Sequence, residues 1–258
     1  MDLADAVVVV TGASAGIGEA TALGFARAGS RTVLAARRME RLEGLAGAIR
    51  SRGGEALTVR CDVTEPDDIA GLVEETVAAY GRCDVLVNNA GIPGGGPFTD
   101  ISTEQVERLV RVNLLGVLLL TKAFLPHLLE RRAGHVVNVA SVAGRVATPG
   151  AAVYGATKHG VVAFSEALSA ELRPSGILVT AVNPGLTRTE GFPQAGRPRP
   201  FVMNADRVAQ TIVDVVRRER GPEVSVPRAL ALLQLFRVFT PPLYRWGMNV
   251  AAKRYAKR

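Results

Sequence analysis

Cysteine is scarce. The 258 residues hold two, Cys61 and Cys83, and these form no CxxC pair. A disulfide framework is thereby excluded, and a reduced, cytoplasmic setting is the simplest expectation. Histidine is nearly as rare: His127, His135 and His159 lack the spacing of a metal motif, so no metal is expected. The opening Met1-Asp2-Leu3-Ala4-Asp5 is acidic and runs straight into an apolar strand, which does not read as a secretory signal. Internal repeats and low-complexity linkers are absent. Hydrophobic residues at 48% against 21% charged exclude a disordered chain. This length suits one α/β unit with a substantial core.

Acid is missing from one region. Seven of the 31 basic residues and none of the 24 acids lie in 228–258, so the other 24 basic residues cancel the acids and the tail carries the whole net +7. A generally basic nucleic-acid-binding domain would spread that charge over a binding face, so nucleic acid is not expected as a partner.

Short β-branched runs alternate with longer helical patterns, the signal for a parallel sheet built from βαβ units. Strands are expected at Ala6–Val10, Thr32–Ala36, Ala56–Arg60, Asp84–Asn88, His135–Ala140, Ile177–Val182 and Glu223–Val226. The clearest helices are expected over about 17–29, 67–80, 103–130, 152–173 and 205–219. Proline and glycine crowd residues 184–200 and forbid regular structure there. The fold class is thus α/β, a single Rossmann-type doubly wound parallel sheet flanked by helices. It occupies 1–227 and is followed by an apolar and basic extension, 228–258.

The first strand ends in Thr11-Gly12-Ala13-Ser14-Ala15-Gly16-Ile17-Gly18, directly before a helix. Strand, glycines and helix come in the order that a phosphate cradle requires. Glycine lets the backbone approach a pyrophosphate, and the helix N-terminus supplies N–H donors and the positive end of a dipole. No Gly-Lys-Ser/Thr follows, which excludes a nucleoside-triphosphate loop.

That run resembles the glycine signature of the short-chain dehydrogenase/reductase family. Asn88-Asn89-Ala90-Gly91, Asn113, Ser141, Tyr154 with Lys158, and Pro184-Gly185 follow in family order over about residues 5–227. The resemblance implies that Asp62 and Val63 meet the adenine and that Asn89, Ala90 and Gly91 line the adenine-side ribose. It implies that Thr189, in a PGxxxT pattern, meets the nicotinamide carboxamide. It also implies a substrate lid over about 186–204, and a homodimer or homotetramer built on helices 103–130 and 152–173.

NAD-binding members of such folds place an acid after the second strand to hold the ribose hydroxyls. Ala36 stands at the corresponding position here, followed by Arg37 and Arg38. Guanidinium groups pair with a 2′-phosphate that a carboxylate would repel, so NADP(H) is expected over NAD(H). The bland alternative is a solvated basic helix start, which a helix N-terminus disfavours.

Tyr154 and Lys158, four residues apart, share one helix face. Free tyrosine, with a pKa of about 10, is a poor base near neutrality. A lysine ammonium alongside, together with the positive nicotinamide of an oxidised cofactor, is expected to favour phenolate, a shift of about 3 units requiring roughly 4 kcal/mol of differential interaction. Tyr154 would then give a proton to a carbonyl oxygen or take one from an alcohol. Ser141 would fix that oxygen. Asn113 resembles the family's water-holding residue, which relays protons through Lys158. Singly, each has a structural alternative: a strand-end cap for Ser141, a helix break for Asn113. Together they point to a reductase or dehydrogenase acting on a small hydrophobic carbonyl or alcohol. The competing function on this fold is a redox-silent NADP-binding sensor or scaffold.

The tail is least explained. Ala229–Phe239 is strongly apolar but shorter than the roughly 20 residues that span a bilayer. Five of the thirteen aromatics, including the single tryptophan, Trp246, lie in this tail. Peripheral contact with anionic lipid and packing over the substrate pocket or a neighbouring subunit are both compatible with it.

Overall fold

The computed structural model describes residues 1–192 and 202–255. Strands β1 (Val7–Thr11), β2 (Arg31–Ala36), β3 (Ala56–Arg60), β4 (Val85–Asn88), β5 (Gly134–Val139) and β6 (Ile177–Pro184) are parallel neighbours. Two short strands, β7 (Thr187–Arg188) and β8 (Met203–Asn204), form a separate pair, and β9 (Glu223–Val226) closes the main sheet. The sheet order is β3-β2-β1-β4-β5-β6-β9. The helices are α1 (Gly16–Arg27), α2 (Met39–Arg50), α3 (Pro66–Tyr80), α4 (Thr103–Val110), α5 (Gly116–Arg131), α6 (Ala152–Leu172) and α7 (Ala205–Arg217). The tail folds as α8 (Leu232–Phe239) and α9 (Pro241–Tyr255).

Alternation along β1 shows why its apolar run is continuous. Val8 and Val10 point to one face and pack in a cluster with Phe25, Leu42 and Ile212 of α1, α2 and α7. Val7 and Val9 point to the other and join Leu72, Phe124 and Leu168 of α3, α5 and α6. A central strand of a parallel sheet is covered on both sides, so neither parity tolerates a polar residue.

Three details differ from the sequence reading. The helix expected over 103–130 is interrupted by a π-helical turn, Arg111–Leu115, between α4 and α5. Its centre is Asn113, fully buried, whose amide pairs with the Ile92 backbone in both directions. A wider turn of this kind is a frequent mark of function. Second, α2 is not among the clearest helices of the sequence, although Leu42, Leu45, Ala46 and Ile49 are buried at helical spacing. Third, the segment after β6 is not wholly irregular, because Thr187–Arg188 pairs with Met203–Asn204. Residues 193–201 of the expected lid lie outside the described residues. The run Thr103–Arg131 is long and apolar enough to cross a membrane by composition alone, yet Leu109, Val117, Leu120, Phe124 and Leu128 are buried in the core.

His135 is fully buried on β5. The Thr180 hydroxyl donates to the Arg220 carbonyl at 2.5 Å, so it must accept from His135 Nε2–H across 2.8 Å. Nδ1 is then unprotonated, and it meets no partner among the described residues. Burial pushes the imidazole down to about 4. The unfolded chain therefore binds the proton more readily than the folded one, and stability is lost as pH falls from about 6.5 through 4. Urea denaturation is expected to show a loss of about 3 kcal/mol across that window, linked to one proton. In His135→Gln, which keeps a neutral donor at the position, that component of the loss should vanish.

Candidate active site

The sheet order reverses between β1 and β4, and in such sheets the ligand crevice opens beyond the strand ends at the reversal. A cleft of about 690 Å³ lies there. Its floor begins at Gly12, whose φ of +66° is in the left-handed region. A Cβ there would lie 2.9 Å from Ala90 Cα, so the close approach of the two loops requires glycine. The Thr11 hydroxyl holds those loops together by accepting from the N–H groups of Asn89 and Ala90 at 3.1 and 3.2 Å. Asn89 Nδ2 returns a bond to the Thr11 carbonyl at 2.8 Å. Helix α1 starts behind Ala15 with no side-chain cap, so its first N–H groups face the cleft rim beside Ser14, Gly16 and Ile17. A glycine cradle with uncapped amides fits a dinucleotide pyrophosphate. Gly18 does not line the cleft. A Cβ there would meet the Gly12 carbonyl at 2.3 Å, so this glycine serves the packing of helix on strand.

One end of the cleft is bounded by Arg37, Arg38, Asp62 and Val63. Ala36 occupies the end of β2 with no carboxylate. Arg38 donates to Ser14 Oγ at 3.2 and 3.1 Å and to the Glu190 carboxylate at 2.7 Å. Arg37 lies 3.5 Å from Asp62. Burial alone would raise the Asp62 carboxyl, but hydrogen bonds from Thr64, together with Arg37, hold it below its ordinary value. Thr189 folds back over the start of α1, its Cβ 3.0 Å from where a Gly16 Cβ would sit. Pro184 and Gly185 form the wall beside it, with the Gly185 N–H bonded to the Val226 carbonyl at 2.8 Å.

At the other end, α6 presents Tyr154 and Lys158 to the same cavity as Ser141. The ammonium of Lys158 is buried and donates to the Val139 carbonyl at 2.8 Å. Desolvation brings it down to about 8. It lies 6.0 Å from the centre of the Tyr154 ring. Burial raises the Tyr154 hydroxyl above its ordinary value, and a hydrogen bond with Ser141 offsets only part of the rise. Asn113 stands behind the wall: a Cβ on Gly91 would lie 3.3 Å from its Oδ1 and 3.7 Å from Lys158 Nζ. Both polar ends of its amide already serve Ile92, leaving the second Oδ1 lone pair for a water.

Residues 6–199 match the profile of the family described as short chain dehydrogenase. The chain belongs to this family. An uncharacterized oxidoreductase of Listeria innocua is 40% identical over 192 residues, which cover 74% of this chain and 77% of the relative. A short chain dehydrogenase/reductase from Burkholderia phymatum, solved in complex with NAD, is 27% identical with a TM-score of 0.84, covering 94% of this chain and 96% of that one. A point variant of actinorhodin polyketide ketoreductase, solved with NADPH, is 34% identical with a TM-score of 0.78, covering 86% and 95%. As a short chain dehydrogenase the protein is an oxidoreductase acting on CH–OH groups.

Two groups of residues escape the sequence reading. Phe192 packs edge-on against Tyr154, with ring centres 5.9 Å apart and planes at 63°. A lone aromatic in a proline-rich loop carries no periodic signal that would mark it. The second group is Thr121, Asn138 and Ser165, which form a buried polar chain with Asn88 of the motif already noted. Asn88 donates to Thr121 and Asn138 at 2.9 and 2.8 Å, and Asn138 donates to Ser165 at 2.9 Å. It ties β4 and β5 to α5 and α6, and so fixes the helix that carries Tyr154. A polar residue at a strand position that should be apolar is the available signal.

Proposed function

We propose that the protein is an NADP(H)-preferring reductase of a hydrophobic ketone or aldehyde, with Tyr154 as its acid/base. The convergence of Tyr154, Ser141 and Lys158 at one end of a cleft whose other end is a glycine cradle carries this reading. A nicotinamide bound in the cleft supplies the hydride for reduction and accepts it in the reverse direction. Ser141 holds the substrate oxygen by its hydroxyl. Tyr154 donates its hydroxyl proton to that oxygen as it gains charge. A proton from solvent would return to the tyrosine through the Lys158 ammonium and a water that Asn113 would hold beside it. The cofactor-binding set is Gly12, Ser14, Gly16, Ile17, Asp62, Val63, Asn89, Ala90, Gly91, Pro184, Gly185 and Thr189, with Gly18 as packing support. Pro93, Val142, Ala143, Leu186 and Phe192 line the substrate end and support an apolar substrate.

Residues 1–227 act as the catalytic domain, 186–204 as the lid and 228–258 as an appendage. Cys61 and Cys83 are free and buried, and burial pushes the Cys61 thiol up to about 12. Such inert thiols support a cytoplasmic setting.

Tyr154→Phe tests the mechanism. It should keep the fold and bind NADPH as before while turnover of a ketone falls by about a hundredfold or more. Turnover near the parent level would exclude Tyr154 as the proton donor.

Phosphate preference rests on Ala36, Arg37 and Arg38, with Ser14 beside them. Replacing both arginines by alanine should weaken NADPH binding by about tenfold or more and leave NADH nearly unchanged, as read by fluorescence titration. Equal losses would assign these arginines to stability.

Val110, Leu115 and Leu129 are exposed apolar residues along α4, the π-turn and α5. They support a homodimer or homotetramer through that helix pair and α6. Sedimentation at micromolar concentration should show it; a monomer alone would refute it.

A further inference from the structure

Helix α8 is amphipathic in the wrong sense for a water-facing element. Its polar residues bond back onto the domain. Gln234 donates to the Glu223 carboxylate at 2.9 Å, and Arg237 donates to the Arg145 carbonyl at 2.8 Å. Arg237 also lies 2.9 Å from His159 Nε2, which accepts because Nδ1–H donates to the Gly155 carbonyl. One helical face, Leu232, Leu235 and Phe239, lies opposite these polar residues, at spacings of three and seven. Leu232 is 61% exposed, Val238 67% and Phe239 74%. The apolar surface continues onto α9 through Leu243 and Trp246, the latter 64% exposed. Tyr244 fastens α9 from below, its hydroxyl accepting from the Ala147 N–H at 3.1 Å. The tail is thus docked by hydrogen bonds and presents its hydrophobic residues to the outside.

Such a surface requires a cover. Charge selects which one. No acid occurs in 228–258, and Arg228, Arg245 and Lys253 are exposed around the apolar face. A two-fold contact between copies would bring this patch against itself, cation against cation. An anionic bilayer surface offers the opposite charge to the rim and an apolar layer to the centre. Helix α8 is too short to span it but suited to lie in it, with Trp246 of α9 at the headgroup level.

We propose that α8 and α9 form a docking surface for an anionic membrane. The protein sits on the bilayer by Leu232, Leu235, Val238, Phe239 and Trp246, steered by the tail's basic residues. Arg145 and Ala147, which hold the tail, lie in the segment between Ser141 and Thr148, both of which line the cleft. This does not rest on the reductase reading, because membrane docking needs no turnover.

Trp246 is the only tryptophan, so fluorescence excited beyond the absorption of tyrosine reports the tail alone. The full chain should be titrated with vesicles of phosphatidylcholine mixed with phosphatidylserine, and with phosphatidylcholine alone, at low and high salt. With the anionic vesicles, emission should move to shorter wavelength and the protein should co-sediment, both weakening with salt. Arg245→Gln with Lys253→Gln should reduce binding by about tenfold or more. Val238→Asp with Phe239→Asp should abolish the emission shift while the circular dichroism stays that of the parent. Three outcomes would overturn the proposal: no shift with anionic vesicles, binding indifferent to lipid charge, or a shift that grows with protein concentration in the absence of lipid. The last would show that copies of the chain cover the face.

Discussion

Parallel strands cannot turn back on themselves, and that restriction organises the molecule. Each strand must be followed by a crossover, and crossovers of one hand lie on a face set by the direction in which the sheet grows. From β1 the chain adds β2 and β3 outward, then returns past β1 to lay down β4. Growth changes direction there, so α1 and α2 cover one face while α3 and α5 cover the other. The cleft opens beyond the ends of β1 and β4, over loops that Thr11 ties together with Asn89 and Ala90.

Much of this is legible in the sequence because the residues involved are forced. Val7–Val10 has no polar parity, Gly12 and Gly16 have positive φ, and Tyr154 and Lys158 differ by one helical turn. What escapes depends on distant partners. Nothing near Asn113 in the chain announces a π-turn, because the bonds that fix it come from Ile92. Spacing likewise puts the Lys158 ammonium on the face of Tyr154 but says nothing of the Val139 carbonyl, on another element, to which that ammonium donates. Helix α2 is legible but easily underweighted: its four buried positions follow helical spacing. The orientation of α8 cannot be read at all, since its inner partners, Glu223, Arg145 and His159, are spread along the fold.

Polar groups are buried here where position matters more than stability. Asn88, Thr121, Asn138 and Ser165 occupy sites that aliphatic residues would fill with less demand on geometry. Their bonds lock two strands to two helices, one of them the helix that carries Tyr154. Arg145 performs a comparable service at the edge of the sheet. It pairs with Glu223 of β9, which also receives Asn183 and Gln234, so loop, sheet edge and tail meet on one carboxylate. The Glu223 bond holds the Arg145 guanidinium above its ordinary value against the opposing pull of burial, and its charge is secure.

The same strand order has a kinetic side. During synthesis β1 can pair with β2 as soon as Arg31–Ala36 has emerged, yet its other edge awaits Val85–Asn88. Until then the nascent chain displays Val8, Val9 and Val10 as an unpaired apolar template, the kind of edge that recruits foreign strands. Contacts between segments this far apart also slow the search for the native state. The reversal that opens the cleft in the finished enzyme is therefore where the growing chain is most exposed to aggregation.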